Sequence, residues 1–436
     1  MTKLLDGRLR WVLIFLCFLI ACLAYMENVN ISIAASAIKS EFSLSNVQMG
    51  WVFSAFVLGY ALFQAPGGRF ADRHGPRLAI TVCLLWWSVF TVFTIAVPAG
   101  LAISLALLIA ARFGLGVGEA LMFPTTNRLV AVWIPSNERG VANGVIFAGV
   151  GAGAALAPPL LTFVLLTWGW RWSFLVRVPV QVLAALAWYW LVRNTPQEHP
   201  WMGKKELETI QAGLPARPKG AGAEKALPWH TILGNRSMAA VTFSYFVFGY
   251  VAWIFFTWFF TYLNKVRGLD LKSSAFFSMV PFIAMAVCST GGGWLADVLS
   301  KRYGKRVGRC GVALVGMALA GVFIALATQV ESAQLASIVL AGGAGALYVS
   351  QSAFWAVTAD IAGTSAGTAS GLMNMGGQFG GVITASLTPW MADTFGWTAS
   401  FMAAAVLCGL AAIAWLLVDP STQIGHKPVV GEVAAA

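Results

Sequence analysis

The sequence predicts an all-α membrane protein with twelve transmembrane helices in two pseudo-symmetric six-helix bundles. Three observations predict it. First, the 436 residues are 58% hydrophobic and only 10% charged, whereas soluble domains carry about 25% charged residues. Second, apolar stretches of about 20 residues recur along the chain, the length a helix needs to cross a bilayer. They do not alternate, which excludes the segments of about 10 residues that build a transmembrane β-barrel. Third, two separate segment pairs repeat at nearly one offset. VANGVIFAGVGAG (141–153) shares Ala142, Gly144, Gly149 and Gly153 with Ala369, Gly371, Gly376 and Gly380 of TASGLMNMGGQFG, each 227 residues later. GGRFADRHGPR (67–77) shares Gly68 and Asp72 with Gly293 and Asp297 of GGWLADVLSKR, 225 residues later. An internal repeat of six spans is the mark of a transporter whose halves rock about a central site.

The spans fall near 11–34, 48–71, 79–97, 101–124, 139–166, 172–192, 237–264, 274–299, 306–328, 333–358, 365–392 and 398–418. Ala35-Ser36-Ala37 resembles a signal cleavage site, but the apolar run before it is long and eleven more follow, so the first span is read as retained. The expected division is a first bundle over 1–192, a linker over 193–236, a second bundle over 237–418 and a tail over 419–436. The linker holds Pro, Gly and seven basic residues, with a short surface helix expected over 204–214. The tail looks disordered.

The net charge of +11 does not imply nucleic acid, because it is sorted by side. Loops on the N-terminal side hold 21 of the 28 Lys and Arg, and the opposite loops hold five: Lys39, Arg171, Lys265, Arg267 and Lys272. The remaining two, Arg112 and Arg177, lie within or at the edge of spans. This asymmetry is the positive-inside signature. It places both termini in the cytoplasm and the chain in the cell inner (plasma) membrane, as a multi-pass protein and an expected monomer. The six Cys lack metal-ligand spacing and the four His lie in loops or the tail, so no metal or cofactor is expected. No buried His, nucleophile–base pair or metal set supports an enzyme.

Charges inside the spans are the chemistry-bearing residues. A charge at the bilayer centre costs at least about 2.5–3.5 kcal/mol, so it faces a partner or a cavity and marks function by default. In ARFGLGVGEALMFP (111–124), Arg112 and Glu119 stand seven residues apart on one face of the fourth span, a rise of about 10 Å. Glu119 leans toward Arg112, so direct contact is possible but stretched. Glu27 in AYMENVNISIA (24–34) is the third buried charge, and Arg112 is expected between the two carboxylates at different depths. The expectation is a proton switch: substrate competes for Arg112, Glu119 loses its partner and takes a proton. Glu27, Glu119 and Arg112 are therefore the expected coupling residues, with the proton as coupling ion. Tyr250, Trp253 and Trp258 of the seventh span could stack on a sugar or an aromatic acid. The two Trp equally suit an interfacial belt.

The stretch Gly68-Arg69-Phe70-Ala71-Asp72-Arg73-His74-Gly75-Pro76-Arg77 fits G-x-x-x-D-R-x-G-x-R and resembles the signature loop of the major facilitator superfamily. The resemblance implies a gating latch through Gly68, Asp72, Arg73, Gly75 and Arg77, with Asp297 as the repeat partner. NTPQEHPWMGKKELETI (194–210), FGYVAWIFFTWFFTYL (248–263), PFIAMAVCSTGGGWLAD (281–297), GTASGLMNMGGQFGG (367–381) and GEALMFPTTNR (118–128) look like the anion:cation symporter family, which includes bacterial sugar-acid transporters. That resemblance implies coupling roles for Arg112 and Glu119, with Glu27 where Asp is usual, and pocket roles for Tyr25, Tyr60, Ser352, Trp355 and Asn374. The sequence departs from the pattern at Asn28, where Arg is usual, at Gln378, where Asn is usual, and at Val150. Asn28 can bond hydroxyls or a carboxylate but brings no charge. The leading expectation is proton-coupled uptake of a small organic anion such as a sugar acid. Uptake of a neutral sugar or polyol and proton-driven export stand as alternatives, although GVGAGAALAPP (149–159) lacks an exporter-type Gly-Pro pair.

Overall fold

The computed structural model describes residues 8–213, 227–259, 262–269 and 271–424. It is helical throughout these residues. By length and composition, ten helices can cross a membrane. One of these, Gln48–Ala96, is two spans joined across a kink, and the 30-residue helix Ala366–Phe395 adds another long element. Twelve rods result.

The first six spans are built from α1 (Leu9–Phe42), α2 (Asn46–Ala96), α3 (Ser104–Glu119), α4 (Met122–Trp133), α5 (Arg139–Trp168), α6 (Trp170–Leu175) and α7 (Arg177–Leu191). In α2 the expected loop between spans two and three is a kink rather than a loop. Gly75, at φ 80° and ψ 166°, is the one non-helical residue; this left-handed φ favours glycine. Pro76 follows it, and a proline cannot donate the helix bond back toward the first rod. The fourth span is longer than expected and breaks just after Glu119, at Ala120–Leu121. Pro124 explains the break, since it has no N–H to give Ala120.

The linker carries α8 (Lys204–Gly213) and α9 (Trp229–Leu233). α8 matches the expected surface helix, and it is tied down. Glu206, 1% exposed, accepts from the backbone N–H of Leu9 (3.2 Å) and Arg10 (3.1 Å), capping the first span with a carboxylate. The last six spans comprise α10 (Arg236–Thr257), α11 (Leu271–Tyr303), α12 (Val312–Ala327), α13 (Ala333–Ala362), α14 (Ala366–Phe395) and α15 (Trp397–Ala414). The tail is ordered at its start, against expectation. Asp419 N–H donates to Ser237 Oγ (3.0 Å) and Ile424 N–H to the Ile361 carbonyl (2.9 Å). Residues 425–436 lie outside the described residues.

Large apolar side chains such as Phe15, Val89, Leu166, Trp190 and Val287 stand on the outside, a surface suited to lipid rather than water. Where the two sets of spans meet, glycines let backbones touch. Gly68 of α2 lies on the Gly367 carbonyl, and Gly293 of α11 lies on the Gly140 carbonyl. Gly371 meets Gln64, and Gly144 meets Ser289. These four contacts form two pairs related by the offsets in the sequence.

Candidate functional site

Four charged side chains are buried together in the first six spans. Glu27 on α1, Arg112 and Glu119 on α3, and Arg177 at the start of α7 are each 1–4% exposed. Arg177 Nη1 lies 2.8 Å from one Glu27 oxygen, and Arg112 Nη1 lies 3.7 Å from the other. The Arg112 guanidinium also sits over the Phe56 ring, 4.7 Å from its centroid. Glu119 accepts a 2.9 Å hydrogen bond from the Asn28 side-chain amide. The expected Arg112–Glu119 ion pair is therefore corrected. Arg112 turns to Glu27, and the neutral amide of Asn28 holds Glu119. Arg112 and Glu119 stand seven residues apart on the unbroken helix α3, a rise of about 10 Å, and α1 brings the adjacent residues Glu27 and Asn28 to these two charges.

The cluster borders a cavity of about 30 Å³ between the halves, lined by Tyr25, Tyr60, Trp253, Gln351, Asn374 and Gln378 among others. That holds about one water and no sugar-sized molecule, so the halves have closed on the site. Glu119 is near enough to act electrostatically on both Tyr25 and Tyr60, which links the charges to the cavity. On the α14 side an amide ladder faces the same space. Trp253 Nε1–H donates to Gln378 Oε1 (3.2 Å), and Gln378 Nε2 donates to Asn374 Oδ1 (3.4 Å). The Asn374 amide nitrogen and Gln351 Oε1 are buried with no hydrogen-bond partner in the structure. Burial without a partner costs about 1–3 kcal/mol, so both are suited to meeting a polar ligand.

The expected residues divide accordingly. Tyr25, Tyr60, Asn374 and Gln378 line the cavity. Trp355 is not on the lining; its ring is tilted against Phe147, which is (5.1 Å between centroids), and its Nε1–H donates to Tyr245 Oη (3.2 Å). Ser352 is not a lining residue; it donates to the Ser289 carbonyl (3.1 Å) in helix packing. Tyr250 is buried but off the lining. Sequence reasoning gave no role to Phe123, Phe147, Tyr245, Tyr348 and Gln351, which line the cavity, or to Arg177. An isolated Arg at a span edge, on the side poor in positive charge, was the available signal for Arg177.

The halves are latched at the end that carries 68–77. Asp72 accepts from Gly367 N–H (3.2 Å), Thr368 N–H (2.8 Å) and Thr368 Oγ1 (2.7 Å), and Arg128 lies 3.7 Å away. Asp297 accepts from Gly140 N–H (3.0 Å) and Val141 N–H (2.7 Å). Each carboxylate caps the start of a helix in the other half. Asp360 adds a buried bridge, meeting Arg139 (3.0 Å) and Arg309 (2.6 Å). Arg77 instead stays in its own half, donating to the Tyr189 carbonyl (2.8 Å), and Arg73 is exposed.

The pattern of the Major Facilitator Superfamily matches residues 17–384. Among similar proteins, the "Probable sulfoacetate transporter SauU" of Cupriavidus necator is 36% identical over 400 residues, covering 91% of each chain. The D-galactonate transporter of Escherichia coli is 32% identical, over 68% of this chain and 69% of its own. The hexuronate transporter of Bacillus subtilis is 29% identical, over 97% and 96%. Among solved structures, the proton:xylose symporter XylE bound to 6-bromo-6-deoxy-D-glucose superposes with a TM-score of 0.72 at 18% identity, covering 94% of this chain and 97% of that one. Two helical halves latched by repeat-related carboxylates, with a buried site between them, agree with that match over most of the chain: the chain belongs to the major facilitator superfamily and is a transporter rather than an enzyme.

Proposed function

We propose that the protein is a proton-coupled symporter that takes up a small organic anion, of the sulfonate or sugar-acid kind, by alternating access. The observation that carries this reading is the charge arrangement. Two guanidiniums share Glu27, while Glu119 is held by a neutral amide. With both carboxylates ionised, the four charges cancel. A proton on Glu119 leaves one net positive charge beside the cavity, which favours an anion. An anion drawn to Arg112 in turn favours the protonated form of Glu119. Proton and anion thus stabilise one state, as coupling requires. A monovalent anion carried with one proton crosses without net charge, and each additional net charge moved is worth about 2.3 kcal/mol per 100 mV.

Tyr25, Tyr60, Asn374 and Gln378 supply the hydrogen bonds that orient the substrate, with Trp253 as an apolar wall. The Asp72 and Asp297 latches open and close the access path on their side. The relatives' sulfoacetate, galactonate and hexuronate transporters support the anion class. The basic loops support a cytoplasmic latch side, with both termini there and the chain in the cell inner membrane. The second reading, a neutral sugar or polyol, is favoured by Asn28 and the amide ladder. Uptake into proteoliposomes under an imposed proton gradient decides between them. The expected result is accumulation of labelled sulfoacetate, galactonate or a hexuronate on outside acidification. Accumulation of a polyol and of none of the acids would refute the anion reading.

A further inference from the structure

The four charges form one coupled cluster. Arg112 interacts with both Glu119 and Glu27, Glu27 also acts on Glu119, and the carboxylate that acts on Arg177 is Glu27. Glu119 in turn acts on the cavity tyrosines Tyr25 and Tyr60. The two guanidiniums are also held differently. Arg177 is the close partner of Glu27 at 2.8 Å, and its own Nε donates to the Ser173 carbonyl (3.2 Å) one turn back. Its guanidinium also lies 5.3 Å from the Phe174 ring centroid. Arg112 is the distant partner at 3.7 Å, and its Nε, unlike that of Arg177, has no hydrogen-bond partner in the structure.

We infer that Arg177 is a positioning residue of the site: it keeps Glu27 paired throughout the cycle, so that Arg112 can leave Glu27 for the substrate anion. This inference rests on the anion-symport reading above. The physical reason is the cost of an orphaned buried charge. When Arg112 turns to a substrate, a lone Glu27 would be left without a counter-ion in a dry site, which is strongly unfavourable. Arg177 removes that penalty, and Arg112 is then exchanged between two anions. Asn28 leaves the first span without a cation next to Glu27, so the second guanidinium comes from the seventh helix. The partners of Arg177, Glu27, the Ser173 carbonyl and Phe174, do not line the cavity, and its effect on substrate passes through Glu27 and Arg112.

The test is counterflow exchange in proteoliposomes without a proton gradient, using whichever of labelled sulfoacetate, galactonate or hexuronate the wild type carries. In R177Q, Arg112 becomes the sole counter-ion of Glu27, and KM is expected to rise about tenfold or more, within the usual range for coupled sites. R177K keeps the charge and is expected to recover most of that loss. The double variant E27Q/R177Q removes both charges, frees Arg112 and is expected to have a lower KM than R177Q. Where R177Q is too unstable to purify, the double variant is expected to be recovered folded. A merely structural Arg177 affects folding alone, which the double variant also rescues, and leaves the KM of folded R177Q, R177K and E27Q/R177Q alike. That result, or an unchanged KM in R177Q, overturns the inference. Because exchange needs no gradient, the outcome is separate from the proton reading, which fails instead if E119Q still accumulates substrate uphill.

Discussion

The two halves share their latch but not their site. At the latch the repeat is kept in the two carboxylate caps. Asp72 caps Gly367 and Thr368, while Asp297, 225 positions after Asp72, caps Gly140 and Val141, 227 positions before them. Nearer the cavity the correspondence stops. The first half contributes Glu27, Arg112, Glu119 and Arg177, whereas the second contributes Asn374, Gln378, Gln351 and Trp253. Positions 225–227 after Arg112 and Glu119 hold Ser337, Ile338 and Val339, and Ala344, Gly345 and Ala346. The latch must close on rocking halves, and a repeated cap serves that equally from either side. Charge has to be managed once, against a single substrate, and it is concentrated in one half.

The largest expected effect that would break this contrast is at Arg112. Arg112→Gln removes the exchangeable cation and should cost about 2–5 kcal/mol of anion binding, read as a rise in the exchange KM. Its counterpart in the second half is smaller. Asn374→Ala removes neutral hydrogen bonding and should cost about 0.5–1.5 kcal/mol in the same assay. Equal losses at both positions would show that the halves divide the substrate evenly.

Between these lie the latch substitutions. Asp72→Asn and Asp297→Asn each weaken charge-assisted caps worth about 1.5–3 kcal/mol. If the latch is symmetric in function as in geometry, both should broaden the spin-label distance between Cys introduced at the exposed positions 73 and 301, and to a similar extent. A response from only one would make the repeat an architectural relic.

The smallest effect concerns the linker. His199 Nε2 lies 2.8 Å from the Leu191 carbonyl and its Nδ1 accepts from Trp201 N–H, so the ring sits neutral with Nε2 donating. Burial pushes its pKa below the ordinary value of 6.5, partly offset by the bond to Leu191. A depressed folded pKa contributes stability that is present above pH 6.5 and is lost as pH falls through the folded value. Amide-exchange protection over 194–213, measured against the intrinsic rate at each pH, is expected to fall between pH 7 and 5, and less so in His199→Gln.

Much of this was legible in the sequence, for identifiable reasons. Span length, the sorting of Lys and Arg, and the repeat are strong signals because the bilayer allows few alternatives. Arg112 and Glu119 stood out because charge in a span is rare. Glu27 was legible beside Arg112 as the third buried charge, but Asn28 as the partner of Glu119 and Arg177 as that of Glu27 were not, since spacing along one helix says little about what neighbouring helices bring. Glu27 and Asn28 are adjacent in sequence but meet different charges, and Arg177 looks like an ordinary span-edge residue until α6 and α7 turn it inward. The cavity aromatics Phe123, Phe147 and Tyr245 were hidden among 29 Phe and 8 Tyr, most of which are equally suited to lipid or packing. Pro124 was visible, but the break it sets at Ala120–Leu121, just beyond Glu119, needed the backbone.

The most direct test of the central claim, that Glu119 carries the proton and Arg112 the anion, is Glu119→Gln in proteoliposomes with an inward proton gradient. The account predicts that uphill accumulation disappears while counterflow exchange of the same acid persists. Accumulation that survives the substitution would contradict it.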